Sequence, residues 1–225
     1  MYIYGKHPVR ELLEHSRDKI IDIFIDRPEN KDKYQFDVKI VETDLLDSYS
    51  ENGNHQGVVA QVTPFRYANL KDIYDYDVVA VLDQVQDPQN LGAIARSAAA
   101  FSIPLIIPKD RAVGVNGTVV RASSGLIYQV PVVQVTNIAR TIKALQDQGF
   151  WAFAADMEGE SLYDSSFDPK AIIVMGGEAG IRKLTKDKCD FVVKIPMHSA
   201  VESLNVSTSF AILGSEFRRR YVISE

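Results

Sequence analysis

The chain has 225 residues, 46% of them hydrophobic, and its 25 Lys and Arg against 30 Asp and Glu give a formal net charge of −5. That composition is ordinary for a chain that buries a core and excludes disorder as the main state. A single cysteine, Cys189, excludes an internal disulfide, the lack of clustered thiols or histidines excludes a structural zinc, and a pI near 5.4 argues against a partner held by bulk electrostatics alone.

The longest apolar runs, such as 171–175 and 98–101, fall far short of the roughly 20 residues that span a bilayer. Met1-Tyr2-Ile3-Tyr4 opens no signal peptide, so a cytoplasmic protein without a membrane partner is expected. In chain order, Pro8 is placed to open a helix with apolar positions Val9, Leu12 and Leu13, and an alternating strand follows over 21–26. A polar stretch at 27–33 separates it from an apolar segment at 36–41, and His55-Gln56-Gly57 turns into a strand over 58–62 that Pro64 ends. About 65 residues suffice for a small separately folding module, so two domains are expected, 1–65 and 66–225. From there strands at 78–82, 105–107, 132–135, 151–154, 171–175 and 191–195 alternate with helices near 89–101, 119–124, 138–148 and 204–220. Continuous apolar strands between helices predict an α/β fold, a mostly parallel sheet with helices on both faces.

In such a sheet ligands bind at the carboxyl ends of the strands, which directs attention to the loops after Leu82, Met175 and Ile195. After Leu82, Asp87 is a candidate N-cap and Pro88 a first helical residue. On that helix Gly92, Ala93, Ala99 and Ala100 surround Arg96, which leaves room for a ligand at its guanidinium; close helix packing with Arg96 as a surface side chain is the alternative. After Met175, Gly176-Gly177-Glu178-Ala179-Gly180 permits positive backbone dihedrals and close approach to main-chain groups, yet matches neither the dinucleotide fingerprint nor the P-loop. After Ile195, Ser203 is a candidate N-cap of the last helix. Capping alone would account for Ser203 and Asn205, and His198 stands alone, which is more often structural than catalytic.

Together, Asn90-x-Gly92-Ala93-x-x-Arg96, Gly176-Gly177-Glu178 and Ile195-Pro196-Met197 with Ser203-Leu204-Asn205-Val206-Ser207 resemble the three signature motifs of the SpoU/TrmH branch of the SPOUT RNA methyltransferases, in order and spacing over 78–220. Val119-Val120-Arg121-Ala122-Ser123-Ser124-Gly125 and Val130-Pro131-Val132 resemble that family too. Residues 1–63, with Gly5-Lys6-His7-Pro8-Val9 and His55-Gln56-Gly57-Val58, resemble the L30-type RNA-binding domain of its ribosomal-RNA 2'-O-ribose methyltransferases.

The resemblance implies a deep trefoil knot in the C-terminal part of the sheet, one of the rare exceptions to the rule against threading. It implies S-adenosylmethionine as cofactor, no metal, a homodimer with active sites at the interface, and methyl transfer to a ribose 2'-hydroxyl, of a guanosine in large-subunit (23S) ribosomal RNA. By the same resemblance Arg96, Asn90, Glu178, Ser203 and Asn205 form the catalytic set, and Met175, Gly176, Gly177, Ile195, Met197, Leu204 and Asn205 hold the cofactor. Lys6, His7, Arg10, His55 and Arg121 meet the RNA. Arginine's pKa above about 12 makes it a poor proton store, so Arg96 is expected to stabilise the developing alkoxide or an adjacent phosphate, with Glu178 orienting it. Val206, Phe210, Leu213 and Phe217 form a 4-3-4 seam on the last helix, fit for a dimer interface or for an ordinary core contact.

The chain departs from the family where Glu178-Ala179-Gly180 has one residue, rather than two, between glutamate and glycine. Ser199-Ala200 and Ser102 also stand where glycine is usual. Three other readings stay open: a transfer-RNA methyltransferase, a non-catalytic RNA-binding or ribosome-assembly protein, and a nucleotide-dependent oxidoreductase that lacks the fingerprint glycines. The negative charge is uneven, since from Arg182 onward eight Lys and Arg face five Asp and Glu. A few phosphate contacts, and hence a modest salt dependence of RNA binding, are expected.

Overall fold

A computed structural model describes residues 1–164 and 170–222. By their contacts these divide into two units, one of Met1–Arg66 with Val115–Gln129 and one of Tyr67–Gly114 with Val130–Glu225.

The first unit opens with β1 (Tyr2–Tyr4), α1 (Lys6–His15), β2 (Ile20–Ile25), β3 (Val38–Ile40), α2 (Thr43–Tyr49) and β4 (Val58–Val62). Its sheet has the order β1-β4-β2-β3, antiparallel except between β2 and β3. The register sets Ile3 and Ile23 opposite Ala60, and Ile25 opposite Val58, so these alternate residues share one face and are buried there with Val9 and Leu12 of α1. The other face is aromatic. Phe24, Leu46 and Val59 are buried with Tyr2, Tyr4 and Tyr49 packed against them, and the Tyr2 and Tyr49 rings stack with centroids 4.2 Å apart. Strand β1 and helix α2 are absent from the sequence expectations, because three residues are too few to show a period and Leu45-Leu46 in an acidic run shows no amphipathic repeat.

The chain continues with β5 (Val78–Asp83), α3 (Pro88–Phe101), β6 (Leu105–Pro108), α4 (Gly117–Ala122), β7 (Val132–Val135), α5 (Ile138–Gln146), β8 (Trp151–Ser161), β9 (Ala171–Gly176), α6 (Lys183–Lys186), β10 (Phe191–Lys194) and α7 (Val206–Val222). Helix α4 belongs to the first unit. A Cβ at Gly117 would lie 2.8 Å from the Tyr2 carbonyl oxygen, and Ser16 Oγ donates to the Gly125 carbonyl at 3.4 Å. A single cut near residue 65 therefore does not describe how 115–129 packs, since the partner of an apolar helix is not written in its own periodicity.

The second unit holds a six-stranded sheet, order β10-β8-β9-β5-β6-β7, in which every pairing is parallel. Val79, Val81, Ile172 and Val174 pack on one face with Ile142 and Leu145 of α5. Helix α3 buries Leu91, Ile94, Ala95 and Ala98, and Phe210, Leu213 and Phe217 of α7 are wholly buried, Phe217 meeting Phe153 edge-on at 5.3 Å. Each of the buried Leu, Ile and Phe side chains contributes about 1.5–3 kcal/mol. Of the two uses open to the last-helix seam, the fold takes the intramolecular one, so that seam carries no argument for a dimer. Strand β8 runs seven residues past its expected end at Ala154: Val192 pairs with Ala154 but Val193 with Glu160, so 155–159 bulge out of the ladder. Among the described residues, no helix is long and apolar enough to cross a membrane.

Candidate active site

Strands β5, β9 and β10 end at Asp83, Gly176 and Lys194, and the loops leaving them meet at one edge of the parallel sheet. Helix α3 starts as its sequence predicts, with Asp87 accepting from the Gln89 N–H at 2.9 Å and Pro88 at the first turn. Its end also explains a departure, because Ser102 adopts φ 54° and ψ 43°, the left-handed cap that glycine usually fills. The cap of α7 is a correction. Asn205, rather than Ser203, holds the helix start, its Oδ1 accepting from the Ser207 N–H at 2.8 Å and from Ser207 Oγ at 2.6 Å. That commitment turns Asn205 Nδ2 toward Asn90, where it donates to Oδ1 at 3.0 Å. With its own oxygen taken, Asn90 has amide hydrogens left to offer.

Both asparagines open onto a cavity of about 540 Å³. Glu178, Ser203, Met175, Gly176, Gly177, Ile195, Met197 and Leu204 line it with them, so three stretches far apart in sequence are brought to one place. A second cavity of about 420 Å³ lies beside it, lined by Gln84 to Asp87 and sharing Asn90, Gly177, Glu178 and Gly180. The bulge of β8 supplies lining that sequence reasoning missed, Ala155, Asp156 and Met157. Lys186 Nζ donates to Asp156 at 2.8 Å and to Glu158 at 3.1 Å, and this holds the Asp156 carboxyl below the usual carboxylate range. Only the longer apolar run through Ala155 hinted at the bulge.

The glycine-rich loop is packed more tightly than a ligand cradle requires. A Cβ at Gly176 would stand 2.1 Å from the Gly180 backbone, and one at Gly177 2.2 Å from the Gln84 carbonyl oxygen. These glycines admit the chain's own main chain, and the closeness expected for a ligand is spent there. His198 is used structurally, its Nδ1 accepting from the Ala200 N–H at 3.2 Å.

Arg96 is exposed on α3, six residues and so about 9 Å along the axis from Asn90. It lines neither cavity, whereas Glu178 lines both. In the first unit, Lys6, His7 and Arg10 are exposed on α1, and the Arg121 guanidinium lies 4.4 Å from the centre of the Tyr4 ring. His55 is committed to its own turn: Nδ1 accepts from the Gly57 N–H at 3.0 Å, which leaves Nε2 to donate to Asp47 at 3.1 Å. Among the described residues, no group of three or more His, Cys, Asp or Glu could hold a metal ion.

Residues 77–215 match the model of the SpoU rRNA methylase family. The chain belongs to that family. Residues 2–68 match a second model, described as the substrate-binding part of RNA 2'-O ribose methyltransferases. The 23S rRNA (guanosine-2'-O-)-methyltransferase RlmB of Xylella fastidiosa (strain 9a5c) is 38% identical over 231 residues, covering 94% of this chain and 93% of the relative. RlmB of Neisseria meningitidis serogroup B (strain MC58) is 35% identical, covering 98% and 96%. Among solved structures, an RNA methyltransferase of the TrmH family from Porphyromonas gingivalis superposes with a TM-score of 0.74 at 27% identity, over 97% of this chain and 89% of that one. The SpoU methyltransferase AviRb of Streptomyces viridochromogenes, solved with AdoMet, shares the fold at 23% identity and a TM-score of 0.79, over 99% and 90%.

Proposed function

We propose that the chain transfers the methyl group of S-adenosylmethionine to the ribose 2'-hydroxyl of a guanosine in 23S ribosomal RNA. The observation that carries this reading is the convergence of Asn90, Glu178, Ser203 and Asn205 on one cavity with the cofactor candidates Met175, Gly176, Gly177, Ile195, Met197 and Leu204. Family membership supports the reaction, and the names of full-length relatives support the RNA.

The lining fits the cofactor. About 540 Å³ falls in the range of about 300–1,000 Å³ for small-molecule sites. Met175, Ile195 and Leu204 offer apolar surface to a base, while Asp156 and Glu178 offer carboxylates to cationic groups. When bound, S-adenosylmethionine supplies a methyl group on a positively charged sulfur. The adjoining cavity is assigned to the target nucleotide, because Asn90 and Glu178 border both spaces. The Asn90 amide holds the acceptor, and proximity supplies much of the rate. Arg96 stabilises the alkoxide as its proton leaves to water, the guanidinium staying protonated throughout.

Since Arg96 lines neither cavity of its own chain, a homodimer in which Arg96 of the partner subunit reaches the site is part of this proposal. So is the trefoil knot, with the loops 176–182 and 195–205 as its threaded segments. Lys6, His7, Arg10 and Arg121 are assigned to RNA, and His55 to shaping the turn beside them. The reading is of a cytoplasmic enzyme that needs no metal.

Incubation of the purified protein with methyl-labelled S-adenosylmethionine and either 23S ribosomal RNA or transfer RNA tests it. Label in a 2'-O-methylguanosine of the 23S RNA is expected. Label in transfer RNA alone would overturn the substrate, and cofactor binding without transfer to any RNA would favour a non-catalytic assembly protein.

A further inference from the structure

The glycine-rich loop is short, and a single residue outside both cavities holds its two ends. Asp83, at the end of β5, is fully buried. Its main-chain carbonyl accepts from the Gly177 N–H at 2.9 Å, at the entry to the loop. Its carboxylate takes the exit, accepting from the Arg182 N–H at 3.3 Å, from Arg182 Nε at 2.8 and 3.0 Å, and from a terminal guanidinium nitrogen at 2.6 Å. Between these points the loop is closed on itself by the Gly180 N–H donating to the Gly177 carbonyl at 3.0 Å, with Gly180 at φ +78°.

We propose that Asp83 and Arg182 are positioning residues for cofactor binding: together they clamp the loop so that Gly176, Gly177 and Ile181 face the cavity. The inference rests on the reading of that cavity as the S-adenosylmethionine site. Neither residue lines either cavity, so neither meets a ligand directly. A long loop could relax around a ligand; here the four residues Glu178, Ala179, Gly180 and Ile181 are all that lies between the bridged glycine and the clamp. Fork geometry matters. The planar Arg182 guanidinium meets the carboxylate through two nitrogens, Nε reaching both oxygens and a terminal nitrogen reaching Oδ1, which fixes direction as well as distance, whereas a lysine would satisfy the charge from many angles. The Arg182 side chain is 42% exposed, so its replacement leaves the core packing in place, while the carboxylate it serves is wholly buried.

The test compares Arg182→Lys, Arg182→Gln and the double variant Asp83→Asn with Arg182→Gln, which removes both charges together and leaves no lone buried carboxylate. S-adenosylmethionine Kd, cofactor KM and kcat are measured with amide hydrogen exchange at 177–182. Arg182→Gln is expected to raise Kd and KM for the cofactor between about tenfold and a hundredfold, the scale on which losing an outer orienting partner weakens a binding site, with kcat at saturating cofactor changed less than threefold and exchange faster in the loop. Arg182→Lys is expected to restore part of that loss, and the double variant, which folds without a stranded charge, to keep the raised Kd. A purely stabilising pair would lower the active fraction and the melting temperature at unchanged Kd and KM, and that result overturns the clamp. Failure of the wild-type protein to bind S-adenosylmethionine would instead overturn the reading of the cavity, and the clamp's role with it.

Discussion

The two units put the same residue types to different ends. In the first, polar and aromatic side chains turn to one another: His55 to Asp47 and Gly57, Arg121 to Tyr4, Tyr2 to Tyr49. In the second, polar side chains from distant stretches turn toward shared empty space. The sheets explain the contrast. A parallel sheet brings the carboxyl ends of all its strands, and hence the loops that leave them, to one side, whereas a mixed four-stranded sheet divides them between both. The proposed reaction, which needs several groups at one point, is accordingly assigned to the parallel unit, and the proposed recognition of RNA, spread over a surface, to the other.

The sharpest way to break that division is Arg96→Ala. A fall in methyl transfer of about 10²–10³-fold is expected, with the S-adenosylmethionine Kd unchanged; transfer at the wild-type rate would remove Arg96 from the reaction. Next comes acid. Glu216 is bonded to Arg219 at 2.8 and 2.9 Å and to Arg220 at 2.8 Å, and these cations hold its carboxyl at about 2, below the ordinary 4.5. Because the folded value is the lower one, the ion pairs stabilise fully above pH 4.5 and their contribution is lost as pH falls toward about 2. The loss amounts to about 3 kcal/mol at most. Fluorescence of Trp151, the one tryptophan and a residue of β8 in the same unit, reports the unfolding, and Glu216→Gln should flatten the profile over that window.

Smaller effects are expected in the first unit. Lys6→Ala with Arg10→Ala should raise the RNA Kd by roughly tenfold and lower the salt slope by about one for each lost phosphate contact, at unchanged cofactor affinity. A wild-type salt slope as steep as that of a broadly basic protein would contradict a few local contacts. His55→Ala should cost about 1 kcal/mol of stability by releasing the turn, again without effect on cofactor binding. A rise in cofactor Kd in either variant would erase the contrast between the units.

Much of the parallel unit is legible in the sequence because its strands are continuous apolar runs bounded by helix caps, as with Val78 to Leu82 followed by Asp87-Pro88. What sequence alone misses depends on partners distant along the chain. Residues 115–129 join the N-terminal unit through Gly117 and Gly125, whose small size reads locally as a loop. The bulge that carries Asp156 into the cavity exists only because β10 changes register against β8. Asn205 takes the cap ascribed to Ser203 since Ser207, two residues on, meets its carbonyl oxygen. Asp83 reads as the polar end of a strand, and its partner Arg182 lies 99 residues away.

The most direct test of the site is calorimetric titration of S-adenosylmethionine into the wild-type protein and into Leu204→Trp. Leu204 is half-buried at the cavity wall, and the larger ring would fill the space. One saturable site per chain in the wild type and none in the variant is predicted. Equal binding by both proteins would place the cofactor elsewhere and contradict the assignment.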